Sequence, residues 1–214
     1  MKIGIIGATG KAGSLIMKEA KSRGHEVTAI VRNSQKLPEE EDAAVLEKDI
    51  FDLDANDLKQ FDAVVNAFGV PPEKAEQHVE AGRSLINALK EAKETRLLVV
   101  GGAGSLFVDE ARTTRLNETP EFPEAFKAIA LNQSQNLADL EQAEGVQWTF
   151  LSPAAFFDPE GKRTGRYQIG EDAFLVNRKG KSYISYKDYA IALVDEIENG
   201  WHINKRFTVV AESE

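Results

Sequence analysis

Three glycines follow an apolar run in the order Gly7-Ala8-Thr9-Gly10-Lys11-Ala12-Gly13. That spacing suits a turn wrapped around a polyanion. A glycine at a strand end permits the tight turn, one without a Cβ lets the backbone approach phosphate oxygens, and another lets a helix pack closely on the sheet. Amides at the start of the following helix then face the anion, with the positive end of the helix dipole behind them. Downstream stands Arg32, with Asn33 and Lys36 close by. At the end of a second strand a guanidinium holds a 2′-phosphate bidentately, whereas an acidic residue would pair with a free ribose 2′-hydroxyl. The two features together imply NADP(H).

The surrounding elements are those such a ligand needs. Residues 2–6 read as a buried strand, and residues 12–23 place Ala12, Leu15, Ile16 and Ala20 on one helical face before the stop at Gly24. Residues 26–31 read as a second strand, completing a βαβ unit. Further strands are expected over 43–46, 61–67, 96–100, 147–151 and 206–210. Helices are expected over 73–93 and 124–144, and a last one opens at Ser185 and runs through Glu198, with Asp188 at its third position. Near-continuous apolar strands separated by helices indicate an α/β fold, a Rossmann-type doubly wound parallel sheet covered on both faces. Residues 158–182 are rich in Gly, Lys, Arg and Asp, with strand-like pieces at 167–169 and 174–176. The chain 1–214 reads as a single NAD(P)-binding domain in which residues 154–184 and the C-terminal helix and strand form a small substrate lobe.

Composition excludes several classes of function. The formal net charge is −9 over 214 residues, which argues against nucleic acid or an anionic membrane surface as partner. There is no cysteine, hence no disulfide, thiolate metal site or cysteine nucleophile. His25, His78 and His202 show no metal-ligand spacing. A core strand begins at once, no signal peptide is apparent, and no apolar run spans a bilayer. The expected location is cytoplasmic.

With the glycine motif, Arg32 and Gly101-Gly102-Ala103-Gly104-Ser105, the chain resembles the atypical short-chain dehydrogenase/reductase group that includes NmrA-like proteins. It is most similar to the NAD(P)H-flavin reductase family related to biliverdin-IXβ/flavin reductase. The later segments Arg163-Thr164-Gly165, Ser182-Tyr183-Ile184-Ser185, Asp188-Tyr189-Ala190, Asp195-Glu196 and Arg206-Phe207-Thr208 carry that similarity. The resemblance implies that residues Gly7 to Gly13 hold the pyrophosphate, Arg32 the 2′-phosphate, and Asp49 and Ile50 the adenine. It also implies that Ala67, Phe68, Gly69, Gly102, Ala103, Gly104 and Ser105 line the nicotinamide ribose side, and that Ser152, Pro153 and Ala154 position the nicotinamide. Asp49 has a second reading as a helix cap, Ser105 as a turn former, and Asn66 as a strand-end hydrogen bonder.

One residue pair is missing. Short-chain dehydrogenases reduce carbonyls with a Tyr-x-x-x-Lys pair. Tyr183 and Lys187 match it but come too late in the chain, and the helix that should carry it offers Phe126. Hydride transfer to a flavin survives that loss, because the ring system itself takes up the charge. Ser105 is the candidate catalytic donor, and Phe107, Phe156 and Phe157 read either as aromatic contacts to the acceptor or as ordinary core packing. The loop over 106–123, with Arg112 and Arg115, and Lys162, Arg163 and Arg166 in the lobe could meet an anionic substrate or be solvated charge. Three readings follow: an NADPH-dependent reductase taking a flavin (FMN or riboflavin) or a similar conjugated small molecule as substrate; an NmrA-like NADP(H)-binding redox sensor that presents its state to a protein partner; or a quinone or tetrapyrrole reductase.

Overall fold

The computed structural model describes residues 1–38 and 43–213. In chain order the elements are β1 (Lys2–Ile6), α1 (Lys11–Ser22), β2 (Glu26–Val31), β3 (Ala44–Glu47), α2 (Ala55–Leu58), β4 (Ala63–Asn66), α3 (Gln77–Leu89) and β5 (Arg96–Val100). There follow α4 (Glu124–Glu141), β6 (Trp148–Ser152), β7 (Phe156–Asp158), β8 (Gln168–Gly170), β9 (Tyr183–Ser185), α5 (Tyr186–Asn199) and β10 (Lys205–Val210). The main sheet runs β3-β2-β1-β4-β5-β6-β10-β8, and β7 pairs with β9 separately. Within the main sheet β8 alone runs antiparallel, against β10.

Alternation along the strands explains why they read as unbroken apolar runs. Ile3, Ile5, Ala29, Val65, Leu98 and Leu151 pack on one face with α1 and α5, while Ile6, Ile30, Val64, Leu97, Val99 and Phe150 pack on the other with α3 and α4. A strand buried on both faces has no reason to alternate with polar residues. The order reverses between β1 and β4: β2 and β3 extend to one side, and β4 to β6 to the other. Such a switch point opens a crevice outside the carboxyl ends of the strands.

Four expectations need amendment. Residues 174–176 form no strand; Phe174 N donates to Phe107 O at 2.8 Å in a single bridge region, and Leu175 folds back against Gly170. The helix expected over 73–93 starts with a 3-10 turn at Pro72–Lys74 and becomes α-helical only over Gln77–Leu89. Two short strands, β7 and β9, add to the expected set, each pairing only with the other, outside the main sheet. The C-terminal helix and strand lie in the main layers: α5 packs on α1 and β10 beside β6. Burial on both faces of β10 requires that, since Phe207, Val209 and Val210 are all fully covered.

Candidate functional site

The turn after β1 has the three glycine roles in place. Gly7 sits at φ +76°, and a Cβ there would lie 2.5 Å from the Ala67 carbonyl oxygen. Gly10 N donates to Gly7 O at 2.8 Å, closing the turn, and Ser14 N reaches Gly10 O at 2.9 Å. A Cβ on Gly13 would drive into the Gly7 carbonyl, so α1 approaches β1 as closely as backbone allows. No side chain caps α1 at Gly10 and its first turn holds no acidic residue. The amides of Lys11, Ala12 and Gly13 therefore start a helix with no protein acceptor of the usual capping kind. This cradle fits a pyrophosphate, which supplies the negative oxygens that the protein does not.

A cleft of about 620 Å³ opens at the switch point. Its floor is the ends of five strands: Gly7, Thr9, Gly10, Lys11 and Ala12 after β1, Arg32 after β2, Ala67, Phe68 and Gly69 after β4, Gly102 after β5, and Pro153 after β6. Ile50 adds an apolar wall after β3. The Arg32 side chain is 74% exposed, and its Nε stands 4.0 Å from Asp49 Oδ2, a loose contact that leaves the guanidinium fork free for another anion. Lys48, also on the wall, is held by Asp57 at 2.6 Å. His78 lies deeper, where burial pushes its pKa down and favours the neutral ring. Tyr186 faces the same cleft, with its pKa raised by burial, so it carries its proton at neutral pH.

A second cavity of about 510 Å³ adjoins the first. Gly102, Phe126, Ile129, Gln133 and Pro153 line both. The remaining wall is largely apolar, with Leu116, Phe122, Pro123, Ala154 and Phe156. Phe126 and Phe156 leave 61% and 60% of their surface exposed, although both are large and apolar. Exposed aromatic faces beside a cavity provide stacking surface for a flat ligand.

The structure divides the residues expected from the sequence. Ala103, Gly104 and Ala154 line the second cavity rather than the first. Ala8 is buried in the core beneath the turn. Asp49 caps the 3-10 turn Ile50–Asp52, accepting from Phe51 N at 3.1 Å, and Asn66 Oδ1 accepts from Phe68 N at 3.0 Å. Ser105 and Ser152 are buried and line neither cavity. The expectation of Ser105 as a catalytic donor is corrected on geometry: its Oγ accepts from Arg206 at 3.2 Å, pointing into the protein.

Other charged candidates also turn away from the cavities. Arg112 pairs with Asp172 at 3.2 Å, outside the 106–123 loop, and Arg115 lies over the Phe107 ring of its own loop at 5.7 Å, so both cations are engaged within the protein. Arg163 pairs with Glu19 at 3.0 Å, and Arg166 lines a separate cavity. Tyr183 donates to Asp158 at 3.0 Å, and Lys187 borders a different surface cavity, so the displaced Tyr-x-x-x-Lys match faces neither cleft. Among the aromatic candidates Phe156 and Phe157 reach the cavities and Phe107 does not. Gln133, Phe122 and Tyr186 were missed. The helical spacing of Phe126, Ile129 and Gln133, at i, i+3 and i+7, was the available signal for the first.

Among the described residues no helix is long and apolar enough to cross a membrane, and no group of three or more His, Asp or Glu could hold a metal ion. Comparison with known proteins accords with the geometry. YwnB of Bacillus subtilis (strain 168) is 67% identical over 214 residues, with 100% of both chains covered. A crystal structure from Streptococcus pneumoniae TIGR4, described as "a putative NADH-flavin reductase", superposes with a TM-score of 0.93 at 46% identity, covering 99% of this chain and 100% of that one. A structure from Bacteroides thetaiotaomicron, described as a "putative epimerase", gives 0.89 at 37% identity, covering 100% and 98%. The NAD(P)H-binding family model matches residues 7–200. With its glycine cradle, its switch-point cleft and that match over nearly its whole length, the chain belongs to the NAD(P)H-binding family.

Proposed function

We propose that the protein is an NADPH-dependent reductase that passes hydride to a flavin or a similar conjugated acceptor, bound as a substrate. One observation carries this reading: the dinucleotide cleft continues into an apolar cavity through a shared wall, and that wall carries Phe126, from the helix that holds no Tyr-x-x-x-Lys pair. The nicotinamide supplies two electrons and a hydrogen; the chain's own part is to hold donor and acceptor in contact and keep water out. Apolar Ile129, Pro153 and Ala154 serve the exclusion, and Phe126 and Phe156 offer faces to a planar ring. In this reading the segment 154–184 contributes to the acceptor wall through Ala154, Ala155, Phe156 and Ser182. The partner is a small molecule, and the location cytoplasmic.

The loosely held Arg32 supports the phosphorylated dinucleotide, although the pneumococcal relative's description names NADH. A non-catalytic redox sensor would also dispense with the tyrosine, but it has no use for a second apolar cavity open to the nicotinamide end. The test is oxidation of NADPH, followed by the absorbance of the reduced ring, with FMN, riboflavin or a quinone added in turn. Acceptor-dependent oxidation is expected, with NADPH favoured over NADH by at least about tenfold and the preference lost in Arg32→Asp. Tight NADPH binding with no acceptor-dependent turnover would overturn the reductase in favour of the sensor. Equal use of NADH would remove the role of Arg32.

A further inference from the structure

The seam between the two cavities contains one polar side chain. Of the residues lining both, Gly102, Phe126, Ile129 and Pro153 offer no side-chain hydrogen bond, and Gln133 offers an amide. That amide lies against the Cα of Gly102, in the space a Cβ at position 102 would occupy. It is half-buried, and among the described residues it has no hydrogen-bond partner. Of the other polar side chains on the apolar cavity, the Thr119 hydroxyl donates to Leu116 O at 2.8 Å and Ser182 Oγ accepts from Ala155 N at 3.0 Å, while the Glu121 carboxylate is exposed at its rim. Neither amide atom is among the buried side-chain atoms left without a partner, so both stay open to the cavities they line, where a ligand can meet them.

We propose that Gln133 is the specificity-determining residue for the acceptor, reading a lactam or imide edge on a flat ring. A carboxamide presents one acceptor and one donor side by side, and its complement is an adjoining C=O and N–H. A ring with carbonyls alone, as in a simple quinone, satisfies only the donor half and leaves the Gln133 oxygen unmatched. Sites built to pair both halves discriminate sharply against ligands that lack one, because the orphaned group stays desolvated. Phe126, two turns earlier on the same face of α4, holds the ring plane, and Gln133 sets its rotation in that plane. The inference rests on the reading of the apolar cavity as the acceptor site.

The experiment compares wild type with Gln133→Leu, which keeps the volume and removes both hydrogen-bonding atoms, and with Gln133→Glu, which keeps one acceptor oxygen and replaces the donor with a charged second acceptor. Binding of riboflavin and of a dimethoxyquinone to the NADP⁺-loaded protein is measured by quenching of protein fluorescence, alongside kcat/KM for each. Gln133→Leu is expected to weaken riboflavin by about tenfold while changing the quinone by less than about threefold, so the readout is the riboflavin-to-quinone ratio. Gln133→Glu, whose second oxygen faces the ring carbonyl, should weaken riboflavin at least as much as Gln133→Leu. An equal loss for both acceptors, or a loss of NADPH affinity with an unchanged riboflavin-to-quinone ratio, would overturn the proposal and assign the amide to packing or to the nicotinamide. Because binding is read directly, absence of turnover would sink the reductase reading alone, whereas unchanged riboflavin binding in Gln133→Leu would sink this one.

Discussion

Helices α1 and α5 lie side by side on the same face of the sheet, yet their first turns are built in opposite ways. The start of α5 is closed by the protein. Ser185 Oγ accepts from Asp188 N at 3.0 Å, and the Asp188 carboxylate takes Thr164 N at 2.8 Å, Thr164 Oγ1 at 2.7 Å and Gly165 N at 2.9 Å. The start of α1 has no cap and no acid in its first turn. Both helices have the same orphan amides and the same dipole. Helix α5 meets those needs with its own side chains, and the other uncapped helices, α3 and α4, carry Glu80 and Glu124 in their first turns; α1, with neither cap nor acid, leaves them for a ligand. The same distinction separates Gln133, whose amide is unengaged, from Ser105, whose hydroxyl is held by Arg206.

The largest effect should come from closing the open start. Gly13→Ala puts a methyl group into the Gly7 carbonyl and forces α1 away from β1. The expected overpacking cost is about 1–3 kcal/mol in the free protein. Displacing the first-turn amides by about 1 Å should lower NADPH affinity roughly a hundredfold. Ligand-free thermal unfolding reports the first and fluorescence titration the second. A variant that unfolds at a lower temperature but still binds NADPH as wild type does would show that the α1 amides are not the anion site.

The complementary change should move stability alone. Ser185→Ala removes the α5 cap and is expected to cost about 1 kcal/mol, with NADPH affinity within about twofold of wild type. Denaturant unfolding and the same titration check it. If nucleotide binding fell as much as in Gly13→Ala, the contrast between the two helix starts would collapse.

How far these features could be read from sequence depends on how local they are. The turn at Gly7 to Gly13 is built from contacts within a few residues and from β4, so spacing alone predicts it. Arg32 follows directly from the end of β2. The second cavity is different: Leu116, Phe126, Pro153, Phe156 and Ser182 come from four separated segments, and no periodicity links them. Phe126 registers in the sequence only as an absent tyrosine, and Gln133 as one polar residue in a helix. Ser105 looks like the open end of a glycine-rich loop. Its burial is decided by Arg206, on a strand 101 residues away.

The smallest effect tests that reassignment of Ser105. Arg206 is mostly buried, and burial lowers its pKa, so its guanidinium needs the acceptors it has. It donates to Ser105 Oγ at 3.2 Å and to Ser105 O at 3.4 Å. Ser105→Ala removes the first and keeps the second, a backbone oxygen that no side-chain substitution deletes. The expected cost is about 1 kcal/mol of stability or less. Turnover and NADPH affinity should stay within about twofold of wild type, because the hydroxyl lines neither cavity. A tenfold fall in kcat with unfolding unchanged would instead return Ser105 to the reacting centre, and would mean that an engaged side chain can still serve the ligand. With unfolding shifted and kcat intact, the Ser105 hydroxyl belongs with Ser185 and Asp188, among the groups by which the protein holds itself together.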